Sequence, residues 1–144
     1  MERYLMDIPY SLAYQAYAGT SFDPERRAKL EQEEYARHMV ALGERYGHLP
    51  GADVEIEEYR NGYIRHIHAW LQARTRVLSP MITGPAKFPW GRNERAMSTE
   101  QCRLEELIGW KKKAIDRLER NLGLRESGII SSDDPEAVQK LEAK

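Results

Sequence analysis

A chain of 144 residues with 41% hydrophobic and 31% charged side chains and a formal net charge of −1 is of a size to form one domain, burying roughly two thirds of the surface its unfolded form exposes. No stretch approaches the roughly 18 consecutive apolar residues of a membrane span. The opening MERYLMDIPY lacks the apolar run and cleavage site of a secretory signal, and a single cysteine, Cys102, rules out a disulfide framework or a multi-cysteine zinc site. A cytoplasmic, charge-rich helical protein without a cofactor and without membrane attachment is expected.

The charge is unevenly spread. Residues 1–60 carry seven basic and twelve acidic side chains, residues 61–117 eleven and five, and residues 118–144 four and six. Such polarity points either to an anionic partner for the middle segment or to pairing between the acidic first third and the basic middle.

In chain order, Tyr10, Tyr14 and Tyr17 recur at i, i+4 and i+7 after Pro9. The spacing predicts a short helix with the rings on one face, either to pack on longer helices or, if exposed, to stack bases or a peptide. Asp23 and Pro24 form a helix start, because the carboxylate accepts from an orphan amide and proline at the first position loses no hydrogen bond. The stripe Ala28, Tyr35, Met39, Leu42 and Tyr46 predicts a first long helix that packs in an antiparallel bundle or across a homodimer interface. GHLPG, residues 47–51, is a break of the length that joins neighbouring helices.

A second long helix is expected from about Asp53 to Leu78, on the apolar face of Ile56, Tyr59, Tyr63, Ile67, Trp70, Leu71, Val77 and Leu78. Gly62 is its weak point, costing about 1 kcal/mol relative to alanine. Arg74 falls on the apolar stripe four residues after Trp70, so its stem is expected to stack on Trp70 and its head to reach carbonyls at the helix end. His66 and His68 stand roughly 200° apart on a helix and cannot share an ion, so no metal site is expected.

The stretch SPMITGPAKFPWGRNER, residues 79–95, holds three of the seven prolines and two of the ten glycines and reads as an ordered loop. Pro80 turns Ser79 away from helical geometry, and Gly84 and Phe88 also precede prolines. Met81, Ile82, Phe88 and Trp90 are expected to anchor the loop on the helices. Arg74, Arg76, Lys87, Arg92, Asn93 and Arg95, beside the Trp90 ring, then make a candidate nucleic-acid or anion-binding surface, with donors for phosphates and a ring for a base. The alternative is a packed connector whose arginines pair with the acidic first helix.

A third long helix is expected to begin at Ser98, with Gln101 in capping-box spacing, and to end at a Gly123 cap. Its stripe of Leu104, Leu107, Ile108, Ala114, Ile115, Leu118 and Leu122 is interrupted at Lys111, and Lys111, Lys112 and Lys113 read as a diffuse solvated belt. The fold expected is all-α: three long antiparallel helices plus a short N-terminal helix, with the Pro/Gly-rich loop between the second and third. One domain spans 1–125, and 126–144 form a tail, partly helical or disordered, in which Asp134 and Pro135 can start a short turn.

Residues 69–118, AWLQARTRVLSPMITGPAKFPWGRNERAMSTEQCRLEELIGWKKKAIDRL, resemble a segment of uncharacterised small proteins of phages and conjugative or mobile elements. The shared features are Trp70, Arg74 and Arg76 leading in, the loop from Met81 to Pro89, then Arg92 and Asn93, and Glu105, Glu106 and Trp110 on the last helix. The resemblance implies a mobile-element origin and an accessory or host-defence-countering role, with no established activity.

Three functions fit these features. A non-catalytic binder contacts nucleic acid, or a nucleic-acid-handling complex, through the basic loop over 74–95. An inhibitor of host defence, of the anti-CRISPR kind, docks purely on protein. An enzyme uses the loop as an anion site with Glu105 or Glu106 as base. The third comes last, because no nucleophile, base and oxyanion site are spaced together.

Overall fold

The computed structural model describes residues 2–124, which form six helices and no strand: α1 (Glu2–Leu5), α2 (Tyr10–Ala18), α3 (Pro24–Tyr46), α4 (Ala52–Arg74), α5 (Pro80–Thr83) and α6 (Trp90–Asn121). The expected tail and its Asp134-Pro135 turn lie outside the described residues. None of the described helices is long and apolar enough to cross a membrane.

Local chemistry sets most helix ends. The Asp23 carboxylate accepts from the Arg26 amide at 3.1 Å and Pro24 occupies the first turn of α3. Gly51 precedes α4 with φ +80°, a conformation that costs a residue without a Cβ little. Gly123, at φ +82°, donates to the Arg120 carbonyl and Leu124 to the Glu119 carbonyl, a glycine-centred closure of α6.

The apolar stripes become the core. Ala28, Tyr35, Met39, Leu42 and Tyr46 of α3 are buried, as are Tyr59, Tyr63, Ile67 and Leu71 of α4 and Leu107, Ala114 and Leu118 of α6. α4 lies against α6 in the opposite direction: Glu55 meets Asn121, Gly62 meets Trp110 and Trp70 meets Glu100. Gly62 is thus a close-approach site as well as a propensity cost, since a Cβ there would collide with the Trp110 ring.

Two boundaries depart from expectation. α4 ends at Arg74, four residues before Leu78: Arg76 and Val77 donate back by three residues, to the Ala73 and Arg74 carbonyls, and the next donors leave the helix, Leu78 to Asn93 Oδ1 at 2.7 Å and Ser79 to the Gly19 carbonyl at 2.8 Å. α6 begins at Trp90, eight residues before Ser98. The Asn93 amide donates to the Pro89 carbonyl at 2.8 Å, and Gly91, the weakest helix former before Ser98, costs only about 1 kcal/mol relative to alanine. Ser98 therefore lies mid-helix and Gln101 bonds Glu105 rather than capping. The connector shrinks to residues 75–89 and contains α5, whose first turn is capped by Ser79 Oγ.

Charged groups tie the N-terminal segment down. Asp7 receives two hydrogen bonds from the Arg60 guanidinium, at 2.7 and 2.8 Å, and one from the Tyr35 hydroxyl at 2.5 Å. His68 Nε2 bonds the Asp7 carbonyl and Gln32 donates to the Leu5 and Ile8 carbonyls. Burial pushes the Asp7 carboxyl up, but the hydrogen bonds from Arg60 and Tyr35 and the charges of Arg60 and Arg3 outweigh it and hold the group below the usual carboxylate range.

Candidate functional site

Where α4 runs out and α6 begins, Arg76, Arg92, Asn93 and Arg95 line one cleft of about 630 Å³. Arg76 comes from the turn after α4. Arg92 and Arg95 sit three residues apart, so they share a face of α6 with Ala96 and Thr99, which also line the cleft. The two elements are pinned by the Leu78 amide donating to the Asn93 side chain. Among the described residues, no carboxylate, histidine or cysteine is in the lining.

All three arginines are exposed and none makes an ion pair or side-chain hydrogen bond with a described residue. The expected alternative, pairing with the acidic first helix, does not occur among the described residues. α6 has no acidic residue in its first turn and no side-chain cap, so the positive end of its dipole adds to the same field. A concave wall of three unpartnered guanidiniums attracts an anion of several charges.

A second cavity of about 570 Å³ lies on the other side of the α6 N-terminal turns. Val77, Leu78, Pro80, Trp90 and Met97 make it largely apolar, and Leu78 and Asn93 form the wall common to both cavities. Trp90 is 63% exposed and meets the buried Phe88 edge-on at 4.6 Å between ring centres. Of the four expected anchors, Phe88 alone is buried, whereas Met81 is 79% exposed. The short α5 turns Met81 outward while the Leu78 and Ser79 hydrogen bonds hold the connector down in its place.

Three of the predicted site residues offer the cleft no donor. Arg74 stacks its guanidinium 4.3 Å from the centre of the Tyr17 ring, donates to Thr20 Oγ1 at 3.0 Å and lies 3.8 Å from Glu100. Its ring partner is Tyr17 rather than Trp70, because α2 packs across the end of α4; the Trp70 indole donates to Glu100 instead. Asn93 is buried, its carbonyl oxygen accepting from the Leu78 amide and its Nδ2 donating to Met97 Sδ at 3.5 Å, so it shapes the cleft and leaves anions to the arginines. Lys87 is exposed, at φ +55°, and is not in either cavity.

The tyrosine face divides as well. Tyr17 is buried, its hydroxyl donating to Glu31 at 2.6 Å, with its pKa pushed up to about 12 by burial and by that carboxylate. Tyr10 and Tyr14 remain about 40% exposed. Lys111 is no part of a solvated belt. It is half-buried with Nζ 5.2 Å over the Tyr63 ring, and burial lowers its pKa against the opposing pull of Glu31 and Glu34. Its position on the apolar stripe was the signal for this inward placement.

The remaining chemical candidates are dispersed. His66 bonds the Gly62 carbonyl and stacks on Trp110, while His68 reaches Asp7. Among the described residues no group of three or more histidine, cysteine or carboxylate side chains is placed to hold a metal. Glu105 and Glu106 are exposed and bonded to Gln101 and Arg103, outside the cleft. Comparison with family models, curated proteins and solved structures finds no match.

Proposed function

We propose that this is a small non-catalytic binding protein, of phage or mobile-element origin, that contacts nucleic acid through its arginine cleft. Three long antiparallel helices serve as the scaffold. The observation that carries the reading is that Arg76, Arg92 and Arg95 line one cleft with, among the described residues, no carboxylate in its wall and no partner for any of them. Guanidiniums in such a setting match phosphate oxygens in geometry and charge. The decisive experiment is salt-titrated binding to single- and double-stranded DNA and RNA. Affinity is expected to fall steeply with salt, and converting Arg76, Arg92 and Arg95 together to alanine is expected to abolish it. Absence of binding at about 50 mM salt overturns the reading, because backbone electrostatics are strong there.

A second reading, docking on a nucleic-acid-handling protein as an accessory or anti-defence inhibitor, is favoured by a different observation. Trp90, Met81 and Met97 are 63%, 79% and 50% exposed around the apolar cavity and the adjoining α5, and exposed apolar clusters with polar rims suit protein contacts. That reading predicts a stoichiometric complex with such a protein and little direct nucleic-acid affinity.

A further inference from the structure

We infer that the nucleic acid this protein takes is a flexible single strand, bent over the first turns of α6 so that phosphates lie on the arginine side and a base lies against Trp90. The inference rests on the nucleic-acid reading and names its substrate class.

At 100° per residue, Arg92, Arg95, Ala96 and Thr99 share one side of α6 and Trp90, Glu94 and Met97 lie roughly opposite. The cavity linings follow that division, and Asn93 stands in the wall between them. The N-terminal turns of α6 are therefore a ridge with a basic cleft on one flank and a largely apolar cavity on the other. The crest is low at Gly91, where an added Cβ would meet only Arg95 Nη1, at 3.8 Å.

The two flanks differ in chemistry as the two parts of a nucleotide do. Guanidiniums suit a phosphate, whereas Trp90, Met97, Pro80 and Val77 suit the face of a base, and the Glu94 carboxylate on that flank repels a phosphate and so favours the backbone on the arginine side. Phe88, buried beneath, holds the Trp90 ring edge-on and keeps it at the surface. A ligand that uses both flanks must cross a helix about 10 Å wide. Duplex DNA keeps its direction over about 150 base pairs and hides its base faces in the stack. A single strand bends freely and offers unstacked bases, which an aromatic side chain takes without regard to sequence.

The test is fluorescence anisotropy at fixed low salt with labelled oligo-dT and a labelled mixed-sequence DNA duplex, using the full chain. Oligo-dT is expected to bind about tenfold more tightly than the duplex. Trp90→Ala is expected to weaken oligo-dT binding about tenfold and to leave duplex binding unchanged, with Trp90→Phe restoring most of the loss. Circular dichroism checks that both variants fold, which the exposure of Trp90 favours. Equal affinity for the two probes, tighter duplex binding, or an oligo-dT affinity indifferent to Trp90→Ala overturns the single-strand inference and leaves the arginine cleft standing. No binding of either probe overturns both.

Discussion

Two sets of arginines lie within one small fold and have opposite fates. Arg60 and Arg74 are drawn in: the first clamps Asp7, and the second spans Tyr17, Thr20 and Glu100. Arg76, Arg92 and Arg95 stay exposed around a cleft and pair with nothing described. Arg74 and Arg76 are only two residues apart, yet one holds elements together and the other faces solvent. Position relative to the packed helices, rather than residue type, separates a structural cation from one available to a ligand. An exposed arginine that stabilises nothing in the fold is free for a partner at little cost to stability.

The largest effect that would sharpen this contrast is Arg60→Ala. It leaves the mostly buried Asp7 carboxylate without its cationic partner and is expected to cost about 3 kcal/mol, read as a lower urea midpoint with little change in nucleic-acid affinity. Next comes Arg74→Ala, which removes the ring contact and the Thr20 hydrogen bond. A loss of about 1–2 kcal/mol is expected, and the salt dependence of nucleic-acid binding should not change. A change in that slope would place Arg74 with the ligand-facing set.

The Asp7 clamp also predicts a pH dependence. Because the folded-state pKa of Asp7 is depressed, its contribution is present above the unfolded carboxylate value of about 3.9 and is lost as pH falls through the lower folded value. Thermal unfolding of wild type should therefore weaken below about pH 4, more steeply than that of Asp7→Asn. Equal slopes would show that the clamp adds no proton-linked stability. The smallest expected effect on stability is from single alanine substitutions at Arg76, Arg92 or Arg95, each within about 0.5 kcal/mol. Each should nevertheless reduce the salt slope of binding by about one.

Much of this architecture is legible in the sequence. The Asp23-Pro24 start, the stripe from Ala28 to Tyr46 and the Gly123 closure depend on neighbours a few residues away, which a sequence displays directly. Arg76, Arg92 and Arg95 are recognisable as a basic group because they lie in or just before the Pro-rich stretch. The early end of α4 and early start of α6 were not legible. They depend on Leu78 meeting Asn93 and Ser79 meeting Gly19, pairings across 15 and 60 residues that no local rule contains. The same holds for Gly62: its propensity cost is local, but its reason, Trp110, arrives from another helix.

By itself, then, the sequence determined the helical class, the Asp23 and Gly123 helix ends and the apolar faces, since hydrogen-bond geometry and hydrophobic periodicity act over one or two turns. Tertiary structure alone decided which charges became structural. A guanidinium is drawn inward only where packing brings a ring, a hydroxyl or a carboxylate within reach, as α2 and α6 do for Arg74. Three arginines just beyond that packing meet no such group among the described residues, and they are left lining the cleft.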